Sequence, residues 1–533
     1  MAKQRISVGV NLDPENPTAG DLGGLYVPGT TNFLYSKYTD GRTYAETRPA
    51  ISIVTRKPEE QSDGKGRGIF YWESADKLLV VYNDTIYEGL YGPLPHLIDA
   101  GRDPVYFAEW DFNTLIMTDP ENNKVWKITH SSGLITVTDH TPNVNPDLIT
   151  EGLAGGVVVL DNYCFLMSKA GKIYNSDVGD IDTWNALNFL TTERAVDAGV
   201  YICKQNEHII AVSSSSTEVF YDAANPVGSP LKRRADIAYQ IGASNYKLCA
   251  TNGTKLYFIG ATSLGSFSVF KVENLKLQQV AHQSIDAWIN NNLVSYQRDF
   301  MVTCATLGEH FIVYLTSISS IENDTVWEPI NTAVFDDSTS MWGRFETGVV
   351  AGTELDDSFP IFAITERTGT VAFGQSFIFA DGSIGIFSLE NTGVDLVVTD
   401  PYITEDGLPD SPQEYWDAGY IIRETGEERY PINPSLVTEE WDGGLINNKF
   451  MSKLSVVGRI RDRTVDTNST LCVQYSDDVL RTWSSKRTID ATTHWRWTRL
   501  GYFQRRSIFI CYEGDDRVRI EAIEVDVEAS EYA

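Results

Sequence analysis

The chain has 533 residues, of which 42% are hydrophobic and 22% are charged, a composition that excludes global disorder. Its formal net charge of −30 repels nucleic-acid phosphates and argues against a general DNA-binding protein. The 26 Tyr, 23 Phe and 12 Trp favour strands and the 41 Gly favour tight turns, so we expect an all-β fold.

The sequence gives no sign of secretion or membrane insertion. The start, MAKQRISVGV, lacks the apolar core of a signal peptide, and apolar runs such as GLAGGVVVL are too short to cross a bilayer. The six cysteines lie in separate strand-like stretches without C-x-x-C spacing: Cys164, Cys203, Cys249, Cys304, Cys472 and Cys511. We therefore expect buried free thiols in a protein made in a reducing cytoplasm.

A hairpin pattern recurs through residues 51–390. An apolar strand and a turn precede a second strand, in which a β-branched residue is followed by an aromatic one. The pairs are Ile86-Tyr87, Val125-Trp126, Ile173-Tyr174, Val219-Phe220, Val269-Phe270, Val334-Phe335 and Ile386-Phe387. Most are about 40–50 residues apart, the length of a propeller blade. The repeats predict a six- or seven-bladed β-propeller-like body, and a string of β-sandwich hairpins is the alternative.

The fourth repeat contains the stretch SSSSTEVFYDAANPVGSPLKRR, residues 213–234. Its serine run is predicted to be a turn, and Val219-Phe220-Tyr221 to be the returning strand. Because proline is excluded from central strands, the loop at residues 226–230 is predicted to connect this blade to the next one.

The chain divides into four segments by composition. Residues 1–50 are predicted to be N-terminal strands that lead into the propeller, and residues 51–390 to be the propeller itself. Residues 391–450 contain 13 Asp and Glu against 3 Lys and Arg, have several prolines and lack the repeat, which predicts an acidic insertion or loop region. Strands return in residues 451–533, which are predicted to be a β-sandwich-like C-terminal domain. Residues 451–520 carry 13 Lys and Arg against 8 Asp and Glu.

Signatures of catalysis are missing from the sequence. It contains no G-x-S-x-G, H-E-x-x-H or P-loop motif, and its seven histidines are dispersed. Asp177, Asp180 and Asp182 lie together in the turn SDVGDIDTW and could bind Ca²⁺, but such carboxylates more often cap backbone amides. We expect no enzymatic activity, no cofactor and no metal.

One stretch near the C-terminus, YSDDVLRTWSS, resembles the Asp-box of sialidases and other propellers. The resemblance is carried by Ser476, Asp478, Thr482 and Trp483, whereas Leu480 replaces the glycine of the motif. In an Asp-box the pattern stabilises a hairpin turn and does not catalyse, so we predict a turn here.

The order of the short sequence motifs between residues 177 and 289 is more informative about function. The aspartate-rich turn is followed by WNALNF at 184–189, STEVFYDA at 216–223, a loop with Pro230 and Arg233, and QSIDAW at 283–288. This order resembles the packaged-DNA stabilisation proteins of short-tailed bacteriophages, also called tail hub or nozzle proteins, except at Asp286. Three motifs near the end of the chain also resemble that family: VQYSDD…RTWS, RWTRLG and VRIEAIEVDVE. GRTYAETRPAISI looks like that family's opening of the first blade.

The resemblance implies a structural virion protein of the phage tail, made in the host cytoplasm. Six copies would form a tube below the portal and its adaptor ring, retain the packaged DNA and conduct it during ejection, and tail fibres or spikes would attach. An acidic tube suits a duplex that passes without specific binding, because its wall has no excess of cationic side chains that would bind the phosphates. The competing interpretation is a propeller-type glycan-active or receptor-binding tail protein.

Two sets of charged residues are candidate contact sites. The basic C-terminal region is expected to dock on the adaptor through Arg459, Arg461, Arg463, Arg505 and Arg506, unless these arginines are paired within the domain. The acidic segment is expected either to line the channel or to form a loop on the outer wall that contacts a partner. Its candidate residues are Glu405, Asp406, Asp410, Glu427 and Glu428.

Overall fold

The computed structural model describes the larger part of the chain. The described residues are 2–6, 29–57, 66–88, 96–193, 197–225, 227–261, 265–295, 298–307, 310–320, 327–346, 359, 363–367, 370–374, 384–390, 394–398, 401–402, 423–424, 427–443, 447–461 and 469–529. Nearly all regular structure among them is β, as the aromatic and glycine content predicts. No helix in these ranges is long and apolar enough to cross a membrane.

Five strands precede the first blade, and each pairs with strands that lie far along the chain. They are β1 (Ala2–Ile6), β2 (Gly29–Thr31), β3 (Phe33–Lys37), β4 (Thr43–Thr47) and β5 (Ala50–Lys57). These strands depend on long-range pairing, because none of the sheets is formed by them alone.

Five antiparallel four-stranded meanders follow. They comprise β6 (Gly66–Trp72), β7 (Lys77–Tyr82), β8 (Thr85–Glu88) and β9 (His96–Leu97); β10 (Tyr106–Asp111), β11 (Thr114–Asp119), β12 (Lys124–Ser131) and β13 (Leu134–Asp139); β14 (Val158–Leu160), β15 (Tyr163–Met167), β16 (Lys172–Asn175) and β17 (Phe189–Thr191); β18 (Gly199–Gln205), β19 (His208–Ser213), β20 (Thr217–Asp222) and β21 (Leu231–Tyr239); β22 (Cys249–Thr251), β23 (Lys255–Ala261), β24 (Phe267–Glu273) and β25 (Lys276–Gln279). Each is one blade, built from strands that are consecutive in the chain.

The sixth and seventh blades recruit strands from elsewhere. Their own strands are β26 (Asp299–Leu307), β27 (His310–Ser320), β28 (Trp327–Asp336) and β29 (Met341–Phe345), then β30 (Ala363–Arg367), β31 (Thr370–Gly374) and β32 (Ile384–Glu390). The N-terminal strand β5 pairs antiparallel with β32 and gives the seventh blade its fourth strand. The stretch after Arg48-Pro49 therefore closes the last blade, and the expectation that it opens the first one is wrong.

The seven blades form a closed ring. First strands of neighbouring blades contact one another, except that β18 of the fourth blade contacts β23 of the fifth, and β30 of the seventh blade contacts β6 of the first. The seven β-branched–aromatic pairs predicted from the sequence all lie on the third strand of their blades. Core clusters combine adjacent blades: Leu79 and Ile86 of the first pack with Leu115 and Ile128 of the second. This shared burial is what a propeller needs, since no single blade can cover both of its faces.

The serine-rich stretch of the fourth blade is placed differently from the prediction. The turn at residues 214–216 joins β19 to β20, as expected. The Pro/Gly loop joins β20 to β21 of the same blade, because the basic run after it pairs antiparallel with β20. The expectation of a connection between two blades is therefore wrong. Within this sheet, Arg233 lies 2.7 Å from the buried carboxylate of Glu218.

The remaining strands lie after residue 390. They are β33 (Val394–Val398), β34 (Pro401–Tyr402), β35 (Arg423–Glu424), β36 (Glu427–Pro431), β37 (Ser435–Val437), β38 (Lys449–Arg461), β39 (Thr470–Ser476), β40 (Arg487–Asp490), β41 (Arg496–Phe503), β42 (Ser507–Glu513) and β43 (Arg517–Ala529). Strands β33 and β36 extend the seventh blade beyond β5. Of the described parts of the acidic segment, β33 and β36 thus lie at its edge, β34 and β35 pair with each other, and β37 joins another sheet.

Two sheets pack as a β-sandwich at the C-terminal end of the chain. One has the order β3-β4-β43-β38-β41, with β1 also paired to β43. The other contains β37, β42, β39 and β40, and through β2 it continues into the sixth blade as one nine-stranded sheet. Their common core includes Leu436, Leu454, Trp497 and Ile510. The sandwich is therefore joined to the propeller by a continuous sheet.

Helices are few and short within the described ranges. Helix α1 (Pro146–Glu151) begins after Asn145, whose side chain accepts the N–H of Asp147, and α2 (Gln283–Asn290) buries Ile285 and Trp288. Single turns of other helix types occur at Glu73–Ala75 and Tyr246–Leu248 (3-10) and at Asn291–Ser295 (π).

One pair of cysteines differs from the sequence prediction. Cys472 and Cys511 lie directly opposite each other on β39 and β42, with Cα atoms 5.1 Å apart, and form a disulfide. The expectation of a free thiol is wrong for both, because strand register brings together residues 39 positions apart. The other four cysteines form no disulfide.

Candidate functional site

The propeller axis contains a cavity of about 520 Å³. It is lined by first strands of the blades, including Phe70, Tyr106, Tyr201, Cys249 and Cys304. Its volume falls within the range of small-molecule pockets, about 300–1,000 Å³.

Side chains from three blades meet across the ring at one end of this cavity. Asp103, before the second blade, lies 2.8 Å from Lys247 of the fifth blade and accepts a hydrogen bond from Tyr246. Lys247 also lies 3.4 Å from Asp299, where the sixth blade starts. Burial and the nearby Asp103 raise the pKa of Tyr246, so its hydroxyl stays protonated and donates. These contacts tie opposite sides of the ring together.

A buried arginine reinforces the same end of the ring. Arg67 of β6 lies 2.6 Å from Asp119 of the second blade, and both side chains are fully buried. Its Nε donates to the Asp103 carbonyl at 2.9 Å. An ion pair removed from water in this way contributes to stability only when its other hydrogen bonds are also made. The cross-ring contacts and the small cavity leave no passage for a duplex along the axis of the described propeller.

The predicted calcium-type carboxylates are occupied in capping their own loop. Asp180 accepts hydrogen bonds from the Asp182 N–H at 2.9 Å and the Thr183 hydroxyl at 2.7 Å. The bonds from Thr183 and Asp182 lower the pKa of Asp180. Asp182 itself lies 2.8 Å from Lys127 of the second blade. Among the residues that the structure describes, no group of three His, Cys, Asp or Glu side chains is arranged to hold a metal.

The Asp-box-like stretch forms the predicted turn, between β39 and β40. Asp478 accepts hydrogen bonds from the Thr482 hydroxyl at 2.5 Å, the Thr482 N–H at 2.8 Å and the Ser476 hydroxyl at 2.9 Å. These bonds, Thr482 foremost, lower the pKa of Asp478 to about 2. Leu480 has the left-handed backbone conformation (φ 65°) that the motif's glycine would adopt. The turn is therefore an architectural feature.

A serine, a histidine and an aspartate are linked in series where the sandwich meets the sixth blade. The Ser36 hydroxyl lies 3.0 Å from Nε2 of His310, and Nδ1 of His310 lies 2.8 Å from Asp336. A hydrolase nucleophile occupies an exposed turn, whereas Ser36 lies inside the paired strand β3. None of the three lines the axial cavity. The series fastens β3 to β27 and β28.

The predicted docking arginines fall into different environments. Arg459 is exposed on β38. Arg461 lies 3.1 Å from Glu46, which Arg517 and Arg519 also approach, so it is paired within the domain. Arg463 lies outside the described residues.

Arg505 and Arg506 are neighbours with opposite roles. Arg505 is exposed, 3.6 Å from Glu440. Arg506 is buried, pairs with both carboxylate oxygens of Asp477 at 2.7 Å and stacks 4.0 Å from the Tyr475 ring centroid. Arg506 is therefore a core residue of the sandwich, and its guanidinium cannot reach a partner.

The predicted acidic residues are described only in part. Glu405, Asp406 and Asp410 lie outside the described residues. The backbone of Glu427 and Glu428 belongs to β36, opposite Val398 and Val397 of β33.

The junction between propeller and sandwich contains a residue whose role was not predicted from the sequence. Arg48 is fully buried, donates to the side chain of Asn32 at 2.9 Å and the carbonyl of Glu346 at 2.7 Å, and lies over the ring of Phe359. The Arg48-Pro49 dipeptide that resembles the family's motif is visible in the sequence. Its partner Glu346 lies too far along the chain for the sequence to indicate this contact.

A protein-family model described as "Bacteriophage P22 Gp10, beta-propeller" (Phage_stabilise) matches residues 59–346, which is more than half of the chain. No curated protein matches it. Three solved structures are similar at 10% sequence identity. A computationally designed protein, Ika8, aligns over 64% of this chain and 100% of its own (TM-score 0.35). A chain of the mitotic checkpoint complex aligns over 60% and 89% (TM-score 0.32), and an ancestral GH74 enzyme over 67% and 51% (TM-score 0.36).

Proposed function

The chain belongs to the family of bacteriophage P22 Gp10 β-propeller proteins, and from this premise we propose that it is the nozzle, or hub, of a short phage tail. It is a phage structural protein. In the proposed role it closes the channel below the portal and adaptor to retain packaged DNA, and it conducts that DNA during ejection. The family match over the blades is the observation that carries the proposal.

The closed propeller axis supports a channel formed between subunits. Asp103 and Lys247 bridge the ring, and the remaining cavity of about 520 Å³ is far too small for a duplex. DNA must then pass between copies of the chain, which requires a closed cyclic assembly, and we propose six copies. The net charge of −30 suits a wall that does not hold the passing phosphates.

Docking on the adaptor is proposed for the arginines that can reach a partner. Arg459 and Arg505 are exposed, whereas Arg506 is buried and Arg461 is paired with Glu46. The acids Glu405, Asp406, Asp410, Glu427 and Glu428 remain a proposed channel lining or partner contact.

The proposal is tested on DNA-filled phage heads that carry portal and adaptor but no tail. Addition of the chain should produce a ring below the adaptor in electron micrographs and should make the DNA resistant to leakage and nuclease. Reversal of Arg459 and Arg505 to Glu should weaken attachment in a salt-sensitive manner, and Asp147→Lys, an exposed acid away from the sandwich, is the control.

Two results would overturn the proposal. One is a chain that stays monomeric in the presence of these heads. The other is equal DNA retention with and without the chain. Binding or hydrolysis of host glycans without attachment to heads would favour the glycan-active or receptor-binding alternative.

A further inference from the structure

One face of the propeller is defined by the turns that leave first and third strands. In an antiparallel meander these two strands run in the same direction, so the turns after them lie at the same end of the blade. Neighbouring blades keep this direction, as the parallel bridge between Gly155 and Tyr201 indicates. The Ser74 hydroxyl donates to the Phe112 carbonyl at 3.1 Å and so joins such turns of the first two blades. We name this end the turn face.

The turn face carries apolar side chains on three adjacent blades. They lie between 62% and 86% exposed: Phe112 and Leu134 on the second blade, Val178 and Leu187 on the third, and Val227 on the fourth. Single exposed apolar residues are ordinary, but a concentration on one surface marks an interaction site.

The turn face also carries acidic side chains. Glu73, Glu109, Asp161 and Glu207 are exposed in the turns of the first four blades. Partial burial, together with the charge of Glu73, raises the pKa of Glu109. The like charges of Glu73 and Glu109 repel each other, and a cationic partner would relieve that repulsion.

The C-terminal sandwich presents the complementary surface, which we name the basic edge. Arg481, Arg496 and Arg499 are exposed, and none forms an ion pair with another residue of the described ranges. Tyr502 on β41 and Val479 in the turn after Asp477 are 68% and 66% exposed, and Arg506 hydrogen-bonds both Asp477 and the Tyr502 carbonyl. Arginine and tyrosine are the residues most enriched at the energetic centres of interfaces.

The basic edge is held in place by contacts within the sandwich. Arg487 donates to the carbonyls of Thr498 at 3.1 Å and Arg499 at 3.4 Å. The buried Arg506 links the Asp477 turn to the Tyr502 carbonyl. A surface fixed in advance loses little side-chain entropy on binding.

We propose that the turn face of one copy binds the basic edge of the next copy. Residues 451–533 contain 13 Lys and Arg and 13 Asp and Glu, so the entire net charge of −30 lies in residues 1–450. The basic edge is thus opposite in sign to the net charge of residues 1–450 of a neighbouring copy. Two different surfaces on each subunit form a heterologous contact, which closes into a ring when the rotation between subunits allows it. The inference rests on the proposed tail ring and names its subunit contact.

Charge exchange tests the contact directly. The first variant is Glu73→Lys, Glu109→Lys and Glu207→Lys, and the second is Arg481→Glu, Arg496→Glu and Arg499→Glu. Each alone should weaken ring formation by about 100-fold at low salt, because like charges then face each other. All six substitutions in one chain restore opposite charges and should recover most of the affinity. Asp147→Lys, at an exposed acid in a connection between blades at the opposite end, is the control.

Assembly is measured by sedimentation of the full chain and by electron microscopy on tailless heads, with thermal melting to confirm folding. Phe112→Ser with Leu134→Ser should also weaken assembly without loss of stability, since both residues are exposed. The inference is wrong, and the proposed function stands, if the wild type and both triple variants all form rings. The same conclusion follows if the wild type forms rings but the folded variant with all six substitutions stays monomeric. If the wild type forms no ring on heads, both are wrong.

Discussion

The difference between Arg505 and Arg506 leads to a quantitative prediction about the sandwich. In Arg506→Met the apolar volume is kept, but three kinds of interaction are lost. Asp477 loses its bidentate partner, the Leu500 carbonyl loses a donor at 2.9 Å, and the rings of Tyr475 and Phe503 lose the stacked guanidinium.

Each loss has an expected magnitude. Because the Asp477 side chain is 36% exposed, water screens it, and its pairing contributes about 1 kcal/mol. The unsatisfied buried carbonyl costs about 1–3 kcal/mol, and the cation–π contacts contribute about 1 kcal/mol. We expect Arg506→Met to lower the free energy of unfolding of the sandwich by about 3–5 kcal/mol. Arg505→Met, the matched control, should change it by less than about 0.5 kcal/mol.

Hydrogen exchange of β41 and β42 in increasing urea is the suitable measurement, because it separates the sandwich from the propeller in a chain that need not unfold in one step. Asp477→Asn should cost about 1 kcal/mol and should be non-additive with Arg506→Met. Equal amide protection in the Arg505 and Arg506 variants would refute the assignment of Arg506 to the core.

Three further predictions concern backbone geometry and pH. Gly156→Ala should destabilise the chain by more than about 3 kcal/mol, because the added Cβ would lie 2.0 Å from a carbonyl oxygen of the fourth blade. Gly253→Ala, with open space around it, is the control and should cost about 1 kcal/mol. Urea unfolding measures both. Val479→Asn should stabilise the sandwich by about 0.5–1 kcal/mol and raise its melting temperature, because the exposed valine has a φ of 59°, a left-handed conformation that asparagine adopts more easily. Val227→Asn, the control, should leave the melting temperature unchanged. The folded-state pKa of Asp478 is held at about 2, below its unfolded value, so its turn should keep full stability above about pH 4 and lose it as the pH falls towards 2. Limited proteolysis of that turn should show this loss as faster cleavage at low pH. In Asp478→Asn the rate of cleavage should not depend on pH over the same range. Equal pH dependence in both proteins would contradict the hydrogen-bond explanation.

Local patterns were sufficient to predict the blades. The recurring pattern of an apolar strand, a turn and a second apolar strand marks the second and third strands of the blades, and its seven β-branched–aromatic pairs lie on third strands. The Asp478 turn was also predictable, since all its hydrogen bonds join residues within a few positions of one another. Where an element is stabilised by its own sequence neighbourhood, the sequence is sufficient to predict it.

Long-range pairing decided what could not be predicted. Strand β5 closes the seventh blade more than 300 residues away in the chain, and nothing in its composition distinguishes it from the first strand of a blade. Likewise, Cys472 and Cys511 are joined by strand register alone. Arg505 and Arg506 are identical adjacent residues, and only the position of Asp477 makes one of them a core residue. These outcomes depend on which strands meet, and the sequence does not state that.

The junction between propeller and sandwich connects the fold to the proposed assembly. Three independent links cross it: the nine-stranded sheet through β2, the hydrogen-bonded series from Ser36 to Asp336, and the buried Arg48 between Asn32 and Glu346. The turn face and the basic edge lie on opposite sides of this junction, so its rigidity fixes the angle between them. A heterologous contact closes into a ring only if that angle repeats identically at every subunit, because a variable angle gives open chains. The continuous sheet therefore provides what a closed channel wall requires, a constant rotation from one copy to the next.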